Sequence, residues 1–538
     1  MAYQRSKEQI SDIMRQVKSR DTMPEIAFRK ALWARGVRYR LHDSGLPGKP
    51  DIVIPRARLV IFIDGDYWHG NQWRRRGHAC LEDQFVASPR AEYWVSKISG
   101  NMRRDRENTA RLLSEGWTAL RFWESEIVTS LDYCVDLAVN TIHRRARLSR
   151  AGRLAEQTVA EFFAGIGLVR RGLESRGWRV LFANDIDPQK YEMYAANYAD
   201  AAQHFSLDDI HLLPADRVPD VSLATASFPC NDLSLAGSMK GLAGEHSGAF
   251  WGFIRVLRDM GERRPPVVLL ENVAGWLKSQ KGKDFADSLR ALNDLGYLCD
   301  AFVLDASDFV PQSRVRMFVV GIHETLHNGP SRELHRPLES HLRPKALADF
   351  IERHPDILWW IRDLPSPPKR TICLEDIIED LPHDRPEWWS RSRAEYLLNQ
   401  MSERHARIAQ EMIEGGTYRY GTAFRRVRNG KSMAELRVDG IAGCLRTPRG
   451  GSGRQILFKA GKGEYHVRLL TPRECARLQG VDDDFVIDVP ANQALFGFGD
   501  AVCVPAIGWI ADKYLNPLVT SATHGVPLCA RVNGDMDV

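Results

Sequence analysis

The chain has 538 residues, 44% hydrophobic and 27% charged, ordinary for a globular protein and beyond the size at which one core keeps growing, so at least two domains are expected. Its net charge of +5 is uneven: residues 1–150 hold 27 Lys and Arg against 18 Asp and Glu, a net +9, while the remainder holds 47 against 51, a net −4. Nine scattered cysteines without a C-x-x-C pair, no run of about 18 apolar residues and no signal-peptide core argue against a disulfide framework, a membrane partner and secretion, and point to the cytoplasm.

The N-terminal basic excess suits a polyanion such as DNA, with a merely solvated basic face as the alternative. In chain order, the first predicted helix is PEIAFRKALWARG, with Ile26, Ala27, Ala31 and Leu32 as its core face and Arg29 and Lys30 outside. DIVIP, RLVIFIDG and TALRFWE then alternate with helical stretches such as SKISGNMRRDRENTARLLSEG, an α/β pattern over 1–140. Polar, basic TIHRRARLSRAGRLAE, 141–156, reads as a linker. A second series follows over 157–321: TVAEFF, a Gly turn, a helix, WRVLFANDID, another helix, VSLATASFP and PPVVLLENV. Val- and Leu-rich strands with intervening helices indicate a doubly wound parallel sheet. From 322 to 465 the rhythm breaks into Pro-rich HRPLESHLRPK, LPSPPKR and LPHDRPEWW and the basic, aromatic GGTYRYGTAFRRVRNGK, which reads as an inserted small domain. RLLTPRECARLQG and the apolar helix around 501–510 return to the core over 466–520, ahead of a tail at 521–538.

Candidate chemistry gathers at strand ends. GKPDIVIPRARLVIFIDGDYWHG places Asp51 just inside one strand and Asp64 at the end of the next. Two carboxylates on an antiparallel hairpin can hold Mg²⁺ against a phosphate, and His69 can serve as base or acid. The bland alternative makes Asp51 a turn residue and His69 a satisfied surface histidine. In the second series EFFAGIG ends a strand and opens a helix, and Asp185, 20 residues beyond Gly165, closes the next strand. That spacing fits a nucleotide site, although a GxG alone also fits any tight turn. Arg170 stands where the dinucleotide fingerprint has a third glycine, which disfavours NAD and leaves adenosyl ligands open.

After VSLATASF, Pro229 fixes the turn before Cys230 at the carboxyl edge of the sheet. Asn231, Asp232 and Ser234 are poor company for a structural cysteine, so Cys230 stands between filler and nucleophile. LLENV delivers Glu271 and Asn272 to the same edge, and PQSRVRMFVVG alternates Gln312, Arg314 and Arg316 on one face. Singly, Glu271 reads as an N-cap carboxylate and the arginines as surface ion pairs; together they converge on a cysteine, an acid and two arginines.

FAGIG, the ND acid pair, DDI at 208–210, FPCNDLS, ENV, QSRVR, RLLTPREC and GFGDAVCVP stand in that order, and residues 157–515 resemble the DNA (cytosine-5) methyltransferases. The resemblance implies a Rossmann-like domain using S-adenosylmethionine on double-stranded DNA, with the insert as its target recognition domain. Cys230 would add to C6 of an extruded cytosine, Glu271 would assist at N3, and Arg316 with Arg314 would hold the O2 edge and adjoining backbone. Phe163 would stack on adenine, Gly165 and Gly167 would admit the methionine portion, Asp185 would bind the ribose and Asp209 the adenine amino group. Arg446, Arg449 and Arg454 in CLRTPRGGSGRQ suit phosphate or guanine edges, a solvated loop being the alternative. The chain departs from the family pattern at Glu161 for Asp, Leu168 for Gly, Asn231 for Gln and Asp500 for Asn, the last adding a charge near the cofactor.

SRDTMPE, GLPGKPDIV, DGDYWHG, EYWVSKISGNMRRDR and GWTALRFWE, over about residues 5–130, resemble the very short patch repair endonucleases, whose fold is restriction-endonuclease-like. The resemblance implies Asp51 as metal ligand with Asp64 at the second position, His69 as general base and Glu25 as helper. Tyr67, Trp68 and Trp94 would form the wedge beside a T:G mismatch, core aromatics being the alternative. Where well-known members use cysteines and a histidine for structural zinc, this chain has Asp66, Asn71, Trp73 and Ser125, and His78 and Cys80 are too few for a tetrahedral site. No structural zinc is expected, and packing is expected to hold the hairpin.

Joined, the two resemblances imply methylation of cytosine followed by Mg²⁺-dependent nicking where deamination of 5-methylcytosine leaves T opposite G. Mismatch-repair proteins are candidate partners, in a bacterial-type cytoplasm near the nucleoid. The alternatives are a restriction and modification pair that cleaves unmethylated DNA, and an N-terminal module that only binds DNA.

Overall fold

A computed structural model describes residues 20–229, 248–326, 338–428, 430–447 and 453–524 and divides into two compact units, Met1–Ser149 and Arg150–Val538. In the first unit, helix α1 (Met23–Ala34) is capped by the Thr22 hydroxyl, which accepts from the Glu25 amide. Its core face is Phe28 and Leu32, both fully buried, with Ile26 only partly so; Phe28 meets the Phe122 ring at 5.3 Å. The sheet runs β1 (Arg40–Leu41), β2 (Ile52–Ile54), β3 (Leu59–Asp64), β4 (Thr118–Trp123). β2 and β3 form an antiparallel hairpin, and β4 returns parallel to β3 after the long helix α2 (Ala91–Ser114). Alternation sends Ile52, Leu59, Ile61 and Ile63 to the core with Phe28 and Leu32, and Val53, Val60 and Phe62 to a smaller core with Leu112 of α2. Asp51 and Asp64 thereby sit at the same end of the hairpin, where the Ile63 amide donates to Asp51 at 2.7 Å. The stretch expected as a linker, 141–156, contains the boundary between the two units and is helical: α3 spans Glu124–Ala155, with one non-helical residue at Ser130. Its Arg, Ala and Leu content favours helix as strongly as its polarity suggested a tether.

The second unit is built on a seven-stranded sheet, in the order β10 (Tyr297–Asp305), β11 (Val315–His323), β9 (Val267–Val273), β8 (Leu223–Ala226), β5 (Thr158–Phe162), β6 (Arg179–Asp185), β7 (Phe205–Leu207). Strands β5 to β9 pair in parallel, as a doubly wound sheet requires, but β11 runs antiparallel between β10 and β9. The connection from Asp305 to Val315 is too short for a crossover helix, so the chain must turn back on itself. Val159, Leu223, Val267 and Leu269 enter one core, while their neighbours Ala160, Ala224, Val268 and Leu270 enter the other. Both faces are therefore covered, α4 (Leu168–Glu174) lying on the first and α6 (Ala249–Asp259) with α7 (Lys283–Asp294) on the second.

The expected insert at 322–465 is not one body. Leu338, Leu347 and Phe350 of the segment around α8 (Lys345–Arg353), with Ile357 and Trp359, pack into the second core of the sheet. Apolar residues at 347, 350 and 351 make α8 amphipathic, and the sheet face is what it covers. A separate core begins near Ala394 and is closed by α9 (Glu403–Glu414) on an antiparallel sheet ordered β13 (Lys431–Arg437), β12 (Arg419–Arg428), β14 (Ile456–Gly461), β15 (Glu464–Leu469). The return to the large core follows through α10 (Pro472–Leu478), α11 (Ala491–Asp500) and α12 (Val504–Ile510).

Candidate active sites

In the first unit Asp51, Glu25 and Asp64 converge at the hairpin end. Burial, with the neighbouring charges of Glu25 and Asp64, pushes the Asp51 carboxyl up to about 6 against the amide bond from Ile63. An uncompensated, half-buried carboxylate of this kind is suited to a cation. Asp21, Glu25 and His42 also bring one ligand atom each within 4.8 Å of one another, and His42 Nδ1 lies 3.8 Å from Asp51.

Asp64, expected as the second metal ligand, is held by an arginine. The Arg121 guanidinium on β4 donates to both of its oxygens, at 2.7 and 2.8 Å, and reaches Asp105 of α2 at 3.1 Å. A bidentate fork balances the carboxylate's charge and takes one lone pair on each of its oxygens. His69 Nδ1 lies 2.6 Å from Asp105 and 3.6 Å from Asp64. Burial disfavours the charged imidazolium, but the Asp105 hydrogen bond and the charges of Asp64 and Asp105 outweigh it and raise the His69 pKa, with Arg121 opposing. Asp105 and Arg121 carried no sequence signal by themselves; they are brought to His69 only by the packing of α2 and β4 on β3.

Tyr67, Trp68 and Trp94 meet one another at ring separations of 5.0 to 6.0 Å and are half-buried, with Phe85 beneath and the exposed Tyr93 beside Trp94. Tyr67 and Trp94 pack against Leu81, Phe85 and Ile98, and Trp68 joins them through its ring contacts. At the positions departing from the zinc pattern, buried Asp66 accepts from the Asn71 amide at 2.6 Å and from the Ser125 hydroxyl at 2.8 Å. Hydrogen bonds, and not packing alone, join these positions.

In the second unit the chain proceeds from β5 to β6 and β7 on one side and then to β8 and β9 on the other, a topological switch that opens a crevice at the carboxyl ends of β5 and β8. A cavity of about 640 Å³ lies there. Phe163 and Gly165, both with φ of 57°, turn the β5 end along its wall. Asp185 ties this turn down: its carboxylate accepts from the Gly165 amide at 2.8 Å and the Asp187 amide at 3.0 Å while still lining the cavity. Asn184 donates to the Ser206 and Asp208 carbonyls, which presents Asp209 on the same wall. Gly167 does not line the cavity. At its φ of 82° a β-carbon would fall 2.4 Å from the Tyr198 ring, so this glycine serves helix packing and not ligand access.

Glu271 and Arg316 face the far end of the cavity with Nε to Oε1 at 3.0 Å. Asn272 donates to the Phe228 carbonyl at 3.0 Å and so fixes the loop that leads to Pro229. Cys230 and Arg449 lie outside the described residues. Arg314, expected with Arg316 at the O2 edge and adjoining backbone, lines the same cavity from below. It is 2% exposed, and its guanidinium donates to the carbonyls of Leu445 at 2.9 Å, Gly499 at 3.0 Å and Ala501 at 2.6 Å. Gln312, also buried, donates to Leu478 O and accepts from Leu445 N. These two braces hold the 444–447 segment and the 499–501 turn against the cavity. Of the other arginines, Arg446 is exposed and Arg454 donates to Asn492. The sequence reading missed Lys190 of α5 (Pro188–Asn197), which reaches Asp500 at 2.8 Å on the cavity wall.

A model described as C-5 cytosine-specific DNA methylase matches residues 157–516, and one described as DNA mismatch endonuclease Vsr matches residues 3–75. The chain is similar to the Type II methyltransferase M.DsaV of Dactylococcopsis salina, 29% identical over 66% of this chain and 85% of that protein. It is also similar to the Type II nicking enzyme V.NmeDIP of Neisseria meningitidis serogroup C, 36% identical over 27% of this chain and 92% of that protein. With V.XorIIP of Xanthomonas oryzae pv. oryzae, another Type II nicking enzyme, it shares 44% identity over 21% of this chain and 79% of that protein. The cavity, its ordered motifs and these matches lead to one conclusion: the chain belongs to the C-5 cytosine-specific DNA methylase family and carries an N-terminal endonuclease unit of the Vsr family.

Proposed function

We propose that the protein methylates C5 of cytosine within a specific duplex sequence and nicks the T:G mismatches that deamination later leaves at those positions. The observation that carries the first part is the Glu271–Arg316 pair opening onto the same cavity as Gly165 and Asp185. The Cys230 thiolate forms a bond to C6 of the extruded base, and the ring electrons shift toward C5 as Glu271 protonates or hydrogen-bonds N3. Arg316 orients Glu271 and stabilises the O2 edge. S-adenosylmethionine, when bound, supplies the methyl group; Phe163, Asp185 and Asp209 would hold its adenosyl part. A base then takes the C5 proton, the electrons re-form the C5–C6 double bond, and the C6–S bond breaks to return the Cys230 thiolate.

For the nuclease, Asp51 with Glu25 would hold Mg²⁺, which when bound supplies positive charge at the scissile phosphate. His69, held by Asp105, takes the proton from the attacking water. Tyr67 and Trp68 directly precede His69 in sequence, and with Trp94, which their rings meet, they offer flat surfaces to an unstacked base step. Two assays test the pair of activities. Labelled methyl transfer to duplex DNA should disappear in Cys230→Ser; retained transfer would refute the covalent route. Nicking should favour a T:G duplex in the methylated context over its T:A control; equal rates on both would exclude the repair role.

A further inference from the structure

The loop that carries His69 is closed on itself by one buried carboxylate. Asp66 is 3% exposed, and its side chain accepts from Asn71 Nδ2 at 2.6 Å, from the Ser125 hydroxyl at 2.8 Å and from the Ser125 amide at 3.2 Å, with an Arg75 guanidinium nitrogen 3.5 Å away. Its backbone carbonyl also accepts from the amides of Asn71 and Gln72, at 2.9 and 3.0 Å. Residues 66–71 thus form a ring, and Ser125, at the start of α3, ties that ring to the end of β4. Within the ring the His69 amide donates to the Gly65 carbonyl at 3.1 Å, and Asn101 of α2 donates to the Trp68 carbonyl at 2.9 Å. Trp73, just beyond it, packs with Tyr67 and Trp94 against Leu81, Phe85 and Ile98. Burying a carboxylate is costly unless donors surround it; those around Asp66 come from both the loop and α3, so loss of one contact loosens both.

We propose that Asp66 takes the place of a structural metal ion and is a positioning residue of the nuclease, setting where His69 meets Asp105 and where Tyr67 and Trp68 face DNA. A metal ion cross-links a loop by drawing several ligands to one positive centre. A carboxylate draws several donors to one negative centre, and the connectivity of the cross-link is the same. The residues fit the second case: Asn71 and Ser125 turn donors toward Asp66, and Trp73 has no ligand atom to give. His69 stands three residues after Asp66 and two before Asn71, inside the ring, so a shift of the hub passes to its imidazole, whose Nδ1 lies 2.6 Å from Asp105. This inference rests on the nuclease reading of the first unit.

Nicking by the full chain is measured on a T:G duplex and its T:A control in excess Mg²⁺, with methyl transfer as the internal control. Asp66→Asn keeps the shape but turns an amide N–H toward one of the donors. It should lower kcat on the T:G duplex at least about tenfold, narrow the ratio of T:G to T:A nicking, and leave methyl transfer unchanged. Partial unfolding of the nuclease unit would slow both duplexes alike, so an unchanged ratio, or an unchanged kcat, would overturn the proposal. Ser125→Ala removes one donor and no buried charge; it should move both readouts the same way by less, and it decides the matter if Asp66→Asn fails to fold. Metal analysis of the purified chain should find no stoichiometric zinc; one zinc per chain, lost in Asp66→Asn, would make Asp66 a ligand and overturn the hub. A parent chain that nicks neither duplex would instead overturn the nuclease reading itself.

Discussion

The two candidate sites use their charges in opposite ways. At the nuclease site Asp64, Asp105, His69 and Arg121 satisfy one another, and what remains is the Asp51 carboxyl, beside Glu25 and 3.8 Å from His42, with burial raising its pKa. At the methyltransferase site the buried Arg314 is committed to backbone carbonyls, and what remains is a cavity of about 640 Å³ walled by pairs such as Glu271–Arg316 and Lys190–Asp500. The first site is organised by leftover charge, which suits a metal and a phosphate. The second is organised by leftover space, which suits a large adenosyl ligand and an extruded base.

The sharpest way to break this comparison is a double dissociation. Glu271→Gln should lower methyl transfer by about 10²- to 10⁴-fold and leave nicking unchanged, as expected for loss of an acid that acts at the reacting ring. Asp51→Asn should do the reverse; a loss of both activities from either change would mean the sites are not independent.

Stability against pH probes the floor of the second site. Glu161 on β5 is 1% exposed, one of its oxygens has no hydrogen-bond partner among the described residues, and burial pushes its carboxyl up to about 8. A folded-state pKa above the unfolded value of 4.5 means that its stabilising contribution is complete below about pH 4.5 and is lost as pH rises through about 8. By pH 7 the accumulated loss is about 3 kcal/mol. Glu161→Gln should therefore unfold at a higher temperature than the parent at pH 8 and at the same temperature near pH 4. A parallel pH dependence in the two proteins would show that Glu161 does not titrate in this range.

The smallest effect sharpens the first site. Arg121 opposes the rise of the His69 pKa, so Arg121→Met should move the nicking optimum to higher pH and lower the rate at neutral pH about tenfold. Adding Asp64→Asn removes the charge that Arg121 had balanced and should move the optimum back. A slower enzyme with an unshifted profile would make Arg121 a purely structural residue.

Much of this was legible before any coordinates. Short motifs whose backbone conformation is local, such as EFFAGIG and LLENV, name the turn and the strand end they form, so Gly165, Asp185 and Glu271 arrive on one cavity wall as expected. The hairpin behind Asp51 and Asp64 is local too, since β2 and β3 are consecutive. Partners were not legible where the same residue type has two available. Arg314 alternates with Arg316 in sequence, but only the 444–445 and 499–501 segments, far away in sequence, supply the carbonyls to which its guanidinium donates. Asp64 reads as a metal ligand until β4 lays Arg121 beside it, at a sequence distance no spacing rule covers.

The sequence by itself determined the two-unit organisation, the parallel sheet and the strand ends at which acids and glycines would gather, because hydrophobic period and turn chemistry act over a few neighbouring residues. Only tertiary structure decided which charges are neutralised and which stay available: the antiparallel β11, the return of α8 to the large core, the Arg121 fork and the Lys190–Asp500 pair all depend on segments meeting across long loops. A side chain's chemistry is written in its residue type, but its free valence is what its distant neighbours leave over.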